Sequence, residues 1–384
     1  MNNMEFIEYR LKDIFVNYDN LRKPLSAMER STFQGEYPYY GAQGIIDYVK
    51  EYRCDGEYLL IAEDGENLNS RNQPIALIAK GKFWVNNHAH IVKTNDLADM
   101  KFACYALNHM DINGYVTGTA QPKLSQKNLN HIKVKFPAKE YQLAIVNILS
   151  TYDELIENNN KRIAILEQMA ENLYKEWFVR FRFPGYETAK FENGIPKGWG
   201  IKKLFDIANV KYGYAFKSEL FCDDVALTPV VRIRDVPNNK SNTYTSEVCD
   251  KKYLIEENSI LIGMDGIFHM CLWNGEKAYL NQRVVEIRSK KECLSNLHLF
   301  FALLPQVKYW EQTIAGTTVA HLGDKHIKKM TVIMPDEKIA RKATAIFNEI
   351  MIQKNTLFKQ NQNLTKQRDL LLPRLMSGKL EVKE

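Results

Sequence analysis

The sequence predicts an α/β protein of the α+β kind: two similar domains joined by two long helices that pair antiparallel as a coiled coil, giving a pseudo-twofold internal repeat. Three observations predict it. The chain repeats itself at a spacing near half its length of 384 residues. Within each copy, short β-prone runs end at a proline, Pro137 or Pro335. After each proline come roughly 40 residues without Pro or Gly, with apolar residues at heptad spacing.

The repeat is an ordered series. Leu11, Asp13 and Ile14 return as Leu204, Asp206 and Ile207, and Leu60-Ile61 with Asp64-Gly65 returns as Leu261-Ile262 with Asp265-Gly266. Asn87 falls where Asn281 falls. Gly118-Thr119, Leu124 and Pro137 match Gly316-Thr317, Leu322 and Pro335 at a constant offset of 198. The same offset carries Ile148, Leu166 and Leu173 onto Ile346, Leu364 and Leu371. The strands expected from β-branched and aromatic runs between Gly, Asn and Asp clusters are Tyr58 to Ala62, Ile75 to Ile78 and Ile132 to Phe136. In the second copy they are Val230 to Ile233, Ser259 to Ile262 and Met330 to Met334, with helices over Phe102 to Asn108 and Leu297 to Leu303. The boundaries that follow are 1–137 and 184–335 for the domains, 138–183 for the first long helix, and 336–384 for the second with its tail.

In the first helix, Leu149, Ile156, Ile163, Ala170 and Trp177 form one heptad series, and Tyr152, Asn159, Leu166 and Leu173 the other. In the second helix, Ile350, Leu357, Leu364 and Leu371 keep one series while Lys354, Asn361 and Arg368 interrupt the other. Such stripes are too narrow for a core helix and fit a helix pair. Were the helices separate surface elements, Asn159 and Asn361 would be ordinary polar face residues.

Composition excludes several classes. Apolar residues make up 45% and charged residues 26%, an ordinary globular mixture. No stretch reaches the roughly 20 apolar residues of a membrane span, and the amino terminus lacks signal-peptide blocks, so a soluble cytoplasmic protein with no membrane partner is expected. The six cysteines lie at least 22 residues apart, which excludes Cys-x-x-Cys pairs and suits reduced packing residues. The net charge of +6 is unevenly spread: 0 over 1–137, −1 over 138–183, +3 over 184–335 and +4 over 336–384. This permits a polyanionic partner without demanding one. No phosphate loop, dinucleotide fingerprint, nucleophile elbow, His-Glu-x-x-His pair or Asn/Asp-Pro-Pro-aromatic methyltransferase motif occurs. His88 and His90, two apart on an expected strand, would share a face but lack a third ligand, so neither a catalytic nor a metal site is expected.

What remains is polar chemistry suited to reading base edges, since Asn and Gln pair with adenine and Arg or Lys with guanine. Asn86, Asn87, His88 and His90 lie in one short run; Gln121 and Lys123 lie in the loop Gly118 to Ser125. The second copy offers Arg232, Arg234, Asn281, Gln282, Arg283 and His321, the last at the end of the loop from Gly316. Asn86, Asn87 and Asn281 equally suit the capping of strands and turns. The aromatic runs Tyr37 to Tyr40 and Trp177 to Phe183 suit core packing better than base stacking.

The layout resembles the specificity subunit of type I restriction-modification systems over the whole chain. The resemblance rests on Tyr58-Leu59-Leu60-Ile61-Ala62-Glu63-Asp64-Gly65, on Asn86-Asn87-His88-Ala89-His90, and on Gly118-Thr119-Ala120-Gln121-Pro122-Lys123-Leu124-Ser125 leading to Pro137 and a long helix. It implies that each domain is a target recognition domain reading one half of a split double-stranded DNA site. It implies that the helices set the spacing and dock methyltransferase subunits, two in number, with a restriction motor subunit joining the assembly. S-adenosylmethionine, ATP and magnesium would belong to those partners, and this chain would carry no active site and no cofactor. The second copy departs from the pattern: Gln121-Pro122 becomes Val319-Ala320, and Gln142 becomes Ala340. The rival readings are a coiled-coil scaffold with two protein-binding domains, and the recognition part of a truncated methyltransferase or nuclease.

Overall fold

A computed structural model describes residues 5–118, 120–314, 320–380 and 382. By internal packing the chain forms two units, Met1–Ile156 with Asn363–Glu384, and Glu157–Gln362. Each unit therefore holds part of both long helices.

In the first unit, β1 (Phe6–Arg10) pairs antiparallel with β8 (Lys133–Pro137). The main sheet has the order β2-β7-β5-β6-β3-β4, built from β2 (Phe15–Asn17), β3 (Gln34–Gly41), β4 (Gly44–Val49), β5 (Cys54–Ala62), β6 (Ala76–Val85) and β7 (Ala89–Thr94). Its pairs are antiparallel except β3 with β6. Side chains alternate across a strand. Leu59 and Ile61 accordingly enter the core that holds Phe102 of the helix Met100–His109, while Tyr58 and Leu60 enter a second core with Phe83 and Ile91. Burial on both faces explains why the run from Tyr58 to Ala62 is apolar without interruption.

The second unit rebuilds this plan. After a small hairpin of β9 (Phe191–Glu192) and β10 (Ile195–Pro196), β11 (Gly200–Lys203) pairs with β20 (Thr331–Met334), as β1 pairs with β8. One sheet has the order β12-β19-β16-β17, from β12 (Ala208–Tyr212), β16 (Ile260–Gly263), β17 (Met270–Leu272) and β19 (Val284–Ser289). The other has the order β13-β15-β14-β18, from β13 (Phe221–Cys222), β14 (Thr228–Val231), β15 (Tyr244–Thr245) and β18 (Tyr279–Leu280). The central strand alternates again, with Ile260 and Ile262 in one core and Leu261 in another. Where the first unit has the single strand β6, the second has two short ones, β17 and β18. β18 keeps the parallel pairing with β14 that β6 has with β3.

One expected strand is shorter than the sequence suggested. Val230 to Ile233 reads as an apolar β-prone run, but β14 stops at Val231 and Ile233–Asn238 forms a 3₁₀ helix. The Asp235 carboxylate accepts from the Arg232 backbone N–H at 2.9 Å, a local bond that competes with continuing the strand.

The long helices are Lys139–Tyr174, continued by a π-helical turn over Lys175–Val179, and Glu337–Met376. The first ends at Val179, ahead of the expected 183. Within the second unit, Glu167 pairs with Lys354 and Asn159 with Asn361, so one number falls as the other rises and the segments run antiparallel. Within the first unit, Asp153 pairs with Arg368, and Leu149 and Leu375 are both fully buried in one core. No described helix is long and apolar enough to cross a membrane.

Candidate nucleic-acid interface

In each unit, two segments close over the end of the central strand. In the first, the Glu63 N–H donates to the His88 carbonyl at 2.9 Å, and the Glu63 carbonyl accepts from the Leu124 N–H at 2.7 Å. In the second, the Met264 N–H donates to the Arg283 carbonyl at 2.9 Å, and the Met264 carbonyl accepts from the Leu322 N–H at 2.8 Å. The strand then turns at Gly65 (φ +110) or Gly266 (φ +70), a left-handed backbone that favours glycine and explains the repeated Asp-Gly pair.

The segment between β6 and β7 is an Asx turn. The Asn86 side chain accepts from the His88 N–H at 2.8 Å, and the Asn281 side chain accepts from the Arg283 N–H at 3.3 Å. Asn86 is therefore the counterpart of Asn281, one residue earlier than the sequence alignment placed it, and His88 is the counterpart of Arg283. Both asparagines are buried and shape the turn. Asn87 and Gln282 stand exposed at its tip. The loop from Gly118 forms the other wall: Thr117 and Lys123 exchange backbone hydrogen bonds at 2.9 and 2.7 Å, leaving Gln121 exposed at the bend. Thr119 and residues 316–319, named in the same loops, lie outside the described residues.

This framework brings basic side chains together around carboxylates. His88 Nδ1 lies 2.7 Å from Asp64, and Lys123 pairs with Glu63 at 3.2 Å. In the second unit, His321 Nδ1 lies 2.6 Å from Asp265 Oδ1, and Arg283 Nη1 lies 3.2 Å from Asp265 Oδ2. Isolated bridges between Asp64 and Lys123 and between Asp265 and His321 make those positions counterparts too. The four side chains His88, Lys123, Arg283 and His321 are 46, 53, 56 and 49% exposed, whereas the two aspartates are 17 and 23% exposed. The carboxylates anchor, and the groups they hold stand half-exposed.

Beneath the first patch lies a buried ionic layer that the second replaces with Met264 and Val285. His90 has no exposed surface; its Nδ1 meets Asp19 at 2.7 Å and its Nε2 meets the Leu124 carbonyl at 2.9 Å. His90 therefore does not share a face with His88, and its ring is out of reach of a ligand. Arg22 ties Asp19 to Glu63 and donates to the Ala89 carbonyl at 3.3 Å. Burial opposes the charge on Asp19, but hydrogen bonds from His90 and the Ile91 N–H, with the charges of His90 and Arg22, hold its carboxyl below the usual range. Glu63 is also held low: burial works against it, and Arg22, His90 and Lys123 outweigh that.

Arg232 and Arg234 sit beside the second patch, since the parallel register of Val231 with Leu280 places Arg232 next to Asn281. Both guanidinium groups donate to Thr243 Oγ1 at 3.1 Å. Arg232 also lies 5.4 Å over the Phe221 ring, while Arg234 is largely exposed. The residues that sequence reasoning missed are Asp19, Arg22 and Glu63 in the buried layer, and the anchoring role of Asp64 and Asp265. The signal for the anchors was present as the repeated Asp-Gly pair. Among the described residues, no group of three His, Cys, Asp or Glu side chains is arranged to hold a metal.

The model of the type I restriction modification DNA specificity domain matches twice, over residues 3–168 and 196–364. A type I restriction enzyme MjaIX specificity subunit of Methanocaldococcus jannaschii is 26% identical, covering 91% of this chain and 88% of that one. A putative type I restriction enzyme specificity subunit, S.HindORF215P of Haemophilus influenzae, is 26% identical, covering 91% and 89%. Among solved structures, the S subunit of a type I restriction-modification system from M. genitalium superposes with a TM-score of 0.61 at 18% identity, covering 98% of this chain and 97% of that one, and so shares the fold. With two matched domains spanning most of its length, this chain belongs to the type I restriction-modification DNA specificity family.

Proposed function

We propose that each domain reads one half of a bipartite duplex DNA site through the end-of-sheet patch, and that the chain acts as a non-catalytic specificity subunit. The observation that carries this reading is the patch itself. A carboxylate-anchored scaffold is built twice, and the outward groups differ: imidazole and ammonium at His88 and Lys123, held by Asp64 and Glu63, and guanidinium and imidazole at Arg283 and His321, both held by Asp265. A shared frame with different donors is what two half-sites of different sequence require, because groove edges are told apart by their donor and acceptor pattern.

The paired helices fix the distance between the half-sites and hold methyltransferase subunits, two per chain to match the repeat, with a restriction motor subunit joining the complex. Those partners supply S-adenosylmethionine, ATP and magnesium chemistry. A net charge of +6 is modest for a protein that must hold a polyanion alone. Phosphate contacts supply most nonspecific affinity, so the partners enclose the duplex and add the remainder.

The test is to measure duplex binding by the chain with and without its methyltransferase partner, and to map the bases that the complex modifies. Weak binding alone, tight binding together and modification at one split site are expected. Equal affinity in both cases removes the partner requirement, and modification without sequence preference returns the scaffold reading.

A further inference from the structure

We infer that Asp265 is a positioning residue that aims Arg283 and His321 at a guanine in the second half-site. This deepens the DNA-recognition reading and rests on it. The two carboxylate oxygens of Asp265 are divided between the neighbours, Oδ1 to His321 Nδ1 at 2.6 Å and Oδ2 to Arg283 Nη1 at 3.2 Å. A guanidinium is a planar fork of five N–H donors. That of Arg283 is tethered to Asp265 at Nη1 while the side chain is 56% exposed, which leaves the other donors of the fork for a ligand.

Charge decides between a phosphate and a base as the target. An arginine paired with an aspartate adds no net charge to the patch, and a carboxylate beside a phosphate repels it. What the pair offers is direction, which matters for a base edge. In the major groove, guanine alone presents two adjacent acceptors, N7 and O6, whereas adenine and cytosine place an amino donor there and thymine one acceptor with a methyl group. A forked donor therefore selects guanine. His321, held by Nδ1, leaves Nε2 as its second ring nitrogen for a neighbouring base edge.

The first unit uses the same anchor differently. Asp64 holds His88 by Nδ1 at 2.7 Å, so the outward group is a single imidazole nitrogen in place of a fork. The equivalent base of the first half-site is consequently read without a bidentate pair. The Asp-Gly anchor is common to both halves, and the residue two places after the Asx asparagine, His88 or Arg283, is where the two half-sites part.

The experiment uses the chain in complex with its methyltransferase partner and a DNA library randomised over both half-sites, read by sequencing modified molecules. Asp265→Asn keeps the shape and hydrogen-bonding capacity of the site but removes the ion pair; the guanine preference at one base pair of the second half-site should fall about 10-fold, with the first half-site unchanged. Arg283→Lys keeps the charge and loses the fork, so it should relax the same base pair and leave the salt dependence of binding unaltered. Thermal transitions of both variants establish that they fold. Retained preference in both variants, or uniform weakening across all sequences, would overturn the inference. A wild-type complex that prefers some base other than guanine at every second-half position overturns the guanine assignment alone. A wild-type complex with no sequence preference defeats the underlying DNA reading instead, and the two failures are thereby distinguished.

Discussion

Asn159 donates from its side-chain amide to Oδ1 of Asn361 at 2.9 Å, and Asn361 donates in turn to Asn160 at 2.8 Å. The residue that breaks the apolar repeat of one helix thus meets the residue that breaks the other. The remaining interruptions follow suit: Lys354 pairs with Glu167 at 2.6 Å, and Arg368 with Asp153 at 2.8 Å. A polar pair at a seam costs stability compared with leucine but penalises every register that separates the partners. Asn159→Leu alone should destabilise by about 1–3 kcal/mol, because it strands Oδ1 of Asn361. Asn159→Leu with Asn361→Leu should recover most of that loss. Urea denaturation of the two variants checks this, and equal losses would mean that the amides are not coupled.

His298 supplies a pH dependence. It is fully buried against Phe178 at 4.2 Å and Tyr174 at 5.4 Å, and burial pushes its pKa down from 6.5 to about 4, against the hydrogen bond with the Ile333 backbone. The folded pKa lies below the unfolded one, so this group's stability is present above about 6.5 and is lost as pH falls toward 4. The full loss is on the order of 3 kcal/mol at 1.36 kcal/mol per pKa unit. The carboxylates Asp19 and Glu63, held below their ordinary range, lose theirs only as pH falls further through their lowered folded values. Denaturation midpoints at pH 7.5 and 4.5 should therefore drop more for the wild type than for His298→Leu. Parallel drops would contradict the assignment.

Arg71 closes the helix Met100–His109 by donating from Nη2 to the carbonyls of Leu107, Asn108 and Met110 at 2.9, 3.0 and 3.1 Å. It holds a left-handed backbone at φ +51. Arg71→Ala loses the bonds, at about 1.5–3 kcal/mol, and keeps the left-handed strain that the wild type already carries, while Arg71→Gly loses the same bonds but relieves about 1 kcal/mol of that strain. Thermal denaturation should rank wild type above glycine above alanine. Alanine equal to glycine would show that the backbone conformation carries no cost.

The frame of this fold was legible because it is written locally and twice. Leu60-Ile61 before Asp64-Gly65 and Leu261-Ile262 before Asp265-Gly266 mark the two central strands, and the heptads mark the helices. The patch was legible only in part. Asn86 and Asn281 suit either the reading of adenine or the capping of a turn, and here an Asx turn takes the amide. His90 looked like a partner of His88 because alternation was assumed through a segment that is in fact a turn followed by a strand. The buried layer joins Asp19, Arg22, Glu63 and His90 from well-separated stretches, and no local pattern announces such a meeting.

Helix length offers a ruler test. Adding one heptad after Ile163 and one after Leu357 keeps all three polar pairs and lengthens the helix pair by roughly 10 Å, about 3 base pairs of duplex. The added pairs also turn the duplex by nearly a third of a turn. Overall binding should weaken, the preferred gap should grow by about 2–4 base pairs, and both half-site sequences should stay the same. Mapping modified bases over a library of gap lengths reads this directly, and a folded variant that keeps the original gap would show that the helices are not the ruler.

In the proposed function the two domains read their half-sites independently. Replacing residues 184–335 with the corresponding domain of another family member, then mapping modified bases in the complex with the methyltransferase partner, tests it most directly. A new sequence in one half-site is expected, with the other half-site and the gap unchanged. Altered specificity in both halves, or in neither, would contradict it.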